Sequence, residues 1–356
     1  MPATRNNLLT AENIQSVLRL YDEDGPATIE QIGSGLINHT WKVDTGRKRY
    51  VLQRINDKVF KNPENVAHNI SIVGDYLSKH ATDYLFVRPV AAVNGHEMVH
   101  VAALGYFRLA PFIEGAVTHT VVSSPEQAYE AALQFARFAS RLRDFDANTL
   151  QMTIPHFHDL SFRYRQFVAA LKNSYPERIK KAKTLIDTLL AHDNIVQQFE
   201  DFAKNPAFKL RVMHHDTKIS NVLFDEKGRG ICVIDLDTIM PGYFFSDVGD
   251  MMRTYLSPVN EEEHDFSLIY IRKAFYEAIT AGYLEEMGSV LSKEERTAFS
   301  FSGKFMIYMQ ALRFLTDYLM GDVYYGAKYE GHNLVRAGNQ VRLLELYIGQ
   351  AVSCEL

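Results

Sequence analysis

The chain has 356 residues, 47% of them apolar and 23% charged, with a formal net charge of −5. That is the make-up of an ordinary globular protein long enough for two lobes. It excludes a non-specific nucleic-acid binder, since no basic block is present, and no apolar run is long enough to cross a bilayer.

The N-terminal "MPATRNNLLTAENIQ" lacks the apolar core of a signal peptide. The first hundred or so residues read mainly as strands with one helix. "ATIEQIGSGLINHTWKVDT" alternates as two strands around a glycine turn, and "RKRYVLQRI" is a third. "YLFVRPVAAV" and "MVHVAALGYFRLA" are two more. Between them "NPENVAHNISIVGDYLSKH" reads as a helix. Asn62 is placed to cap it, Pro63 suits its first position, and Val66, Ile70, Val73 and Leu77 recur at helical spacing. Pro111 and Gly115 in "LAPFIEG" mark a junction. Residues 1–110 are therefore expected to form a small β-rich lobe and residues 111–356 a large helical one.

Past the junction, Ser124 and Gln127 suggest a capping box around Pro125. Ala128, Ala131, Phe135, Phe138, Leu142 and Phe145 follow on one face. Helical sequence fills roughly 160–203 and resumes around 296–320 and 333–352. The β-rich interruption is "VMHHDTKISNVLFDEKGRGICVIDLDTIMPG". Here "NVLF" and "ICVIDL" form an antiparallel hairpin about "DEKGRG". If Phe224 faces Ile231 or Cys232, then Asn221 faces Ile234 or Asp235 at the open end, and Asp216 lies on the loop entering that end. Two cysteines, Cys232 and Cys354, cannot build a disulfide framework, so a reducing, cytoplasmic setting is expected.

Two carboxylates and one amide oxygen are hard donors. They suit magnesium, which keeps waters and borrows oxygens from substrate phosphates. The spacing His214-x-Asp216-x4-Asn221 is that of a kinase catalytic loop, where the Asp takes a hydroxyl proton and the Asn joins a later Asp in holding metal. Lys218 stands two residues past Asp216, within reach of a transferring phosphate. Asp237 reads as a group standing behind a metal ligand or as an auxiliary metal group. Asp225 and Glu226 are turn residues, and His214 reads as a buried support of the loop. A zinc site on His214, His215 and Asp216 is disfavoured, because adjacent histidines diverge and no second ligand pair stands at zinc-like spacing. Gly33, Ser34 and Gly35 either let the backbone approach nucleotide phosphates or simply turn a hairpin. Further on, Phe305, Tyr308, Leu312, Leu315 and Leu319 recur as core. Arg313 and Asp317, four apart on another face, are either a surface ion pair or a polar clamp for acceptor hydroxyls. Tyr324 and Tyr325 would line the same pocket. Asn38 and His39 either meet the acceptor or stabilise the glycine turn.

The order of these motifs resembles the aminoglycoside phosphotransferase and choline kinase-like families over nearly the whole chain. That resemblance implies an α+β, protein-kinase-like bilobal fold. The small β-rich N-lobe would bind nucleotide, and the large, mainly helical C-lobe would carry the catalytic loop and acceptor site. It implies ATP and magnesium as cofactors, Asp216 as catalytic base, and Asn221 and Asp235 as magnesium ligands. Asp247, in "YFFSDVGDMMR", would brace the catalytic loop. The segments "GSGLINHTWKV", "YVLQRINDKVFKNPENV", "HHDTKISNVLFD", "VIDLDTIMPG" and "ALRFLTDYLMGDVYY" are more narrowly similar to bacterial N-acetylhexosamine 1-kinases. Those enzymes phosphorylate the anomeric hydroxyl of N-acetylglucosamine or N-acetylgalactosamine. The implied partners are a sugar and a nucleotide; neither nucleic acid nor a membrane is expected, and oligomeric state is not legible.

One departure stands out. The families carry a lysine on the third strand to hold phosphates, whereas "YVLQRIN" offers Gln53 and Arg54. Arg54 is then the candidate cation, though guanidinium and ammonium are not interchangeable. Glu64 is its candidate partner, and helix capping accounts for Glu64 equally well. Two rival functions also fit. One is a kinase for another hydroxyl acceptor, such as an aminoglycoside or amino alcohol, which would want an acidic, aromatic-lined pocket. The other is a nucleotide-binding pseudokinase, supported by the missing lysine and opposed by intact Asp216, Asn221 and Asp235.

Overall fold

The computed structural model describes residues 9–32 and 37–350. The glycine turn of Gly33, Ser34 and Gly35, and Cys354, lie outside the described residues. The chain forms two compact units. The first runs through Ala116 and also takes in 149–154 and 234–239. The second comprises 117–148, 155–233 and 240 onward.

The first unit holds α1 (Ala11–Arg19), β1 (Thr28–Gln31), β2 (His39–Asp44), β3 (Arg49–Ile55), α2 (Pro63–His80), β4 (Met98–Val101) and β5 (Gly105–Pro111). The five strands form one antiparallel sheet in the order β1-β2-β3-β5-β4. Strand alternation decides its faces. Tyr50 and Leu52 of β3, Trp41 and Val43 of β2, and Phe107 and Leu109 of β5 point one way and pack with Ile14, Val17 and Leu18 of α1. Helix α1 was not anticipated, although Thr10 and Asn13 make a full capping box at its start. The buried stripe Val66, Ile70, Val73 and Leu77 of α2 is as expected. Asn62 occupies the N-cap but makes no side-chain cap bond.

Two strand assignments change. "MVHVAALGYFRLA" is not one strand but the hairpin β4–β5, because Ala103 and Gly105 take positive φ and turn the chain. "YLFVRPVAAV" is not a strand. Pro89 has no N–H to give a ladder, and the segment is tied to β5 by Val90 N–H to Leu109 O at 2.7 Å.

The second unit is helical around two short β ribbons. Its helices are α3 (Pro125–Arg141), α4 (Leu160–Asn173), α5 (Pro176–Ala191), α6 (Asn194–Lys204), α7 (Phe244–Tyr255), α8 (Lys273–Met287), α9 (Lys293–Thr297), α10 (Phe301–Leu319) and α11 (His332–Gly349). The ribbons pair β6 (Arg211–Met213) with β9 (Met240–Gly242), and β7 (Val222–Phe224) with β8 (Gly230–Val233). Ser124 caps α3 through Gln127 N–H, but the Gln127 side chain turns to Ser123, so the box is half made. Ala128, Ala131, Phe135 and Phe138 are fully buried, as are Phe305, Tyr308, Leu312, Leu315 and Leu319 of α10. The α+β architecture of a small antiparallel sheet and a large helical unit is the one the sequence leads us to expect. No described helix is long and apolar enough to cross a membrane.

Candidate active site

Strand β6 delivers the loop that carries the His214-x-Asp216-x4-Asn221 motif and is itself tied down. Arg211 makes two hydrogen bonds to the fully buried Glu295, of 2.6 and 2.9 Å. His214, next in the chain, is fully buried edge-on to Phe135, with centroids 5.1 Å apart, as a loop support should be. His215 sits at φ 66°, a left-handed conformation that surrounding bonds must hold. Asp247, in the first turn of α7, supplies them. Its two carboxylate oxygens accept the His214 and His215 N–H groups at 3.0 and 2.8 Å. Burial pushes the Asp247 pKa up to about 7, against these two bonds, which favour the ionised form. Asp250, one turn on, accepts Thr217 N–H at 2.9 Å, and the Tyr255 hydroxyl donates to Thr217 O at 2.6 Å. The backbone from His214 to Thr217 is thus held at every residue, since Asp216 N–H also donates to His214 Nδ1 at 3.4 Å.

Asp216 is partly exposed, and its side chain meets two donors. Lys218 Nζ donates to Oδ2 at 2.8 Å and Asn221 Nδ2 to the same oxygen at 2.9 Å. Asn221 Nδ2 also reaches Asp216 O at 2.8 Å. Burial by itself would raise the Asp216 pKa. The Lys218 charge and hydrogen bond, His214 and Asn221 together outweigh it and hold the group below the usual carboxylate range. An ionised carboxylate beside a lysine can accept a hydroxyl proton. The nearly buried Asn221 has its amide nitrogen committed to Asp216, so its oxygen is the end left for a cation. The register Val222↔Val233 and Leu223↔Cys232 confirms the hairpin, but a bulge pairs Phe224 with Gly230 rather than with Ile231 or Cys232.

Asp235 and Asp237 belong to the first unit. Asp235 follows β8 by two residues and is left-handed at φ 62°, a conformation costing about 1–3 kcal/mol in a non-glycine residue. Asp237, expected behind a metal ligand or as an auxiliary metal group, is buried and already engaged. It is ion-paired to Arg108 and accepts Asn38 Nδ2 at 2.6 Å. Asn38 is therefore a structural residue rather than an exposed one, while His39 is exposed and lies over Trp41. Arg54 sits on the Tyr50 and Leu52 face of β3, opposite Phe107, and lies against Gly105. Glu64 lies by the Tyr106 hydroxyl and raises its pKa, and it makes no ion pair with Arg54 among the described residues. Among the described residues no three His, Cys, Asp or Glu side chains cluster to hold a metal by themselves.

Arg313 and Asp317 do not pair with each other. Asp317 is buried and accepts the N–H groups of Tyr324 and Tyr325 at 2.7 and 2.9 Å, so it shapes the loop that carries them. Arg313 bonds Gln310 at 3.1 Å and lies among three rings: Phe157 at 5.3 Å, Tyr325 at 5.5 Å and Tyr324 at 6.0 Å. Tyr324 is largely exposed. Arg163 is nearby, bonded to Phe157 O at 3.3 Å, and burial and the charge of Arg313 lower its pKa to about 10. Neither arginine is ion-paired among the described residues. The cluster adjoins the loop that carries Asp216. Phe157 stacks on His158 at 4.3 Å, and His158 Nδ1 is 3.3 Å from Nδ1 of His215, the neighbour of Asp216. Both histidines are held neutral, chiefly by burial, with His215 lowered to about 4.

The family model of the phosphotransferase enzyme family matches residues 28–290, well over half of the chain. The chain belongs to that family. Solved structures share the phosphotransferase's fold over nearly its whole length. A microcompartment-associated aminopropanol kinase is 17% identical with a TM-score of 0.62, covering 96% of this chain and 98% of its own. An aminoglycoside phosphotransferase from Alicyclobacillus acidocaldarius is 14% identical with a TM-score of 0.59, covering 94% and 95%. A choline kinase from Streptococcus pneumoniae is 12% identical with a TM-score of 0.56, covering 94% and 96%. At these identities the likeness carries the fold alone. The phosphotransferase's loop braces beyond Asp247 were not read from sequence, although Asp247, Asp250 and Arg253 recur every three residues on one face of α7. The basic and aromatic cluster of Arg163, Phe157 and Arg313 was also missed. Its members lie far apart in sequence and no spacing announces them.

Proposed function

We propose that this phosphotransferase is an ATP- and magnesium-dependent kinase acting on the anomeric hydroxyl of an N-acetylhexosamine. The observation that carries the chemistry is the ionised Asp216 held by Lys218 and Asn221 on a rigid loop. In this reading Asp216 accepts a hydrogen bond from the acceptor hydroxyl. It takes the proton as that oxygen bonds to the γ-phosphorus and the bond to the departing ADP oxygen breaks. A carboxylate of lowered pKa is a weak base, so it serves mainly to orient the hydroxyl. That suits a loose phosphoryl transition state, in which positioning and charge supply most of the rate. Lys218 brings positive charge beside the transferring group. Asn221, through its amide oxygen, and Asp235 would hold magnesium, which when bound neutralises charge on the nucleotide phosphates. Gly33, Ser34 and Gly35, outside the described residues, are the proposed contacts to those phosphates. Arg54 lies on the Tyr50 and Leu52 face of β3 and the Asp237 carboxylate is ion-paired with Arg108, so neither is assigned a direct contact to phosphate or metal in this reading.

The acceptor reading is supported by the lining of the Arg313 cluster and by the narrow sequence similarity. Two unpaired guanidiniums among aromatic rings oppose a cationic aminoglycoside or amino alcohol. They suit a neutral ligand rich in hydroxyls and carrying a carbonyl, with Tyr324 and His39 as further contacts. The test is ADP release on a panel of acceptors with ATP and magnesium, followed by phosphorus NMR of the product. Turnover with N-acetylglucosamine or N-acetylgalactosamine, giving a 1-phosphate, is expected. Turnover confined to amino alcohols or aminoglycosides would overturn the acceptor. Nucleotide binding without turnover on any hydroxyl would favour the pseudokinase.

A further inference from the structure

The third strand offers Gln53 and Arg54 in place of the expected lysine, and the structure puts a cation beside Gln53 from the neighbouring strand. Gln53 of β3 pairs with Arg108 of β5, and Arg108 Nε donates to Gln53 Oε1 at 2.9 Å. Alternation sends both side chains to the face of the sheet opposite Leu52 and Phe107. Arg108 is 4% exposed, and its other end is ion-paired with Asp237. Asp237 lies in the single 3-10 turn Leu236–Thr238, for which Asp235 is the N-cap residue. Two further ties hold this turn. Asn38 Nδ2 donates to Asp237 at 2.6 Å and receives Asn56 N–H on its own oxygen at 2.9 Å. Asn69 of α2 donates to Ile239 O at 2.9 Å. Strand β5, the start of β2 and helix α2 therefore all grip the segment 234–239, in which Asp235 holds its left-handed backbone.

We propose that Arg108 is a positioning residue for the metal. Braced by Gln53 and locked to Asp237, it fixes the turn that presents Asp235, so that the charge missing from the third strand is spent on aiming a metal ligand. This rests on the kinase reading given above. A left-handed aspartate persists only where its surroundings over-determine it, and residues standing behind metal ligands set their orientation.

The test is calorimetric binding of a non-hydrolysable ATP analogue, with magnesium and with EDTA, alongside steady-state kinetics. The main variant is the double change Arg108→Met with Asp237→Leu. It removes a buried pair together, so no lone charge is left and folding should hold. The expected result is a Tm near that of the wild type, unchanged analogue binding in EDTA, and a magnesium-dependent gain in affinity reduced about tenfold. The half-saturating magnesium concentration in turnover should rise in step, with acceptor KM within about twofold. Should the double variant not fold, Arg108→Lys keeps the charge but loses the bond to Gln53, and a smaller loss of the magnesium-dependent gain is expected. A well-folded variant with the wild-type magnesium gain would overturn the inference alone. A wild-type protein whose analogue binding ignores magnesium would overturn the kinase reading and this inference together.

Discussion

At the scale of single residues, the proposed base, Asp216, rests on a balance of opposing influences. Burial favours its neutral form, and the nearby cation with the Asn221 amide favours its charged form; the second set wins. Replacing Lys218 by Met removes the largest opposing influence, so the Asp216 pKa must rise. A base works only when ionised, so the acid-side fall in kcat should move to higher pH in Lys218→Met, with a lower plateau. A pH–rate profile of both proteins checks this, and an acid limb that stays in place would show that Asp216 is not the group being titrated. The motif His214-x-Asp216-x4-Asn221 was legible because its spacing is local. The work done by Asp317 was not. Sequence spacing invites a pair with Arg313, but four residues on a helix say nothing about two backbone N–H groups arriving from the loop at Tyr324 and Tyr325. Asp237 shows the same limit: its spacing leaves open whether it meets metal or stands behind a ligand, and its ion pair with Arg108, from a distant strand, supports the second.

At the scale of elements, periodic patterns were read well and turns less well. The stripes of α2, α3 and α10 are buried as their spacing demands, because a helix repeats its apolar face whatever its neighbours are. The hairpin β4–β5 was read as one strand, since only the conformations of Ala103 and Gly105 reveal the turn. Close helix packing is likewise invisible in the pattern. Gly282 of α8 sits against the backbone of α3, where an added Cβ would overlap the carbonyl of Tyr129. Backbone cannot swing aside like a flexible side chain, so Gly282→Ala should destabilise the protein by about 1–3 kcal/mol. Because α3 also covers His214, the same change tests whether the loop tolerates a shift. Urea denaturation measures the first effect and kcat the second. Unchanged stability would mean that the α3–α8 contact is looser than drawn.

At the scale of the whole molecule, fold class and family were within reach of the sequence because a β-rich region precedes a helical one and the loop motif interrupts the helical one. The composition of the first unit was not within reach. It recruits 149–154 and 234–239 from far along the chain, held by side-chain bonds such as those of Asn69 to Gln151 and Ile239. Such bonds leave no periodic trace. Asp216 belongs to the second unit and Asp235 to the first. The most direct test of the account is therefore Asp216→Asn, assayed for turnover of N-acetylglucosamine with ATP and for binding of an ATP analogue in magnesium. The account predicts kcat lower by about 100- to 10,000-fold with analogue affinity within about threefold of the wild type. Near wild-type turnover in that variant would contradict it.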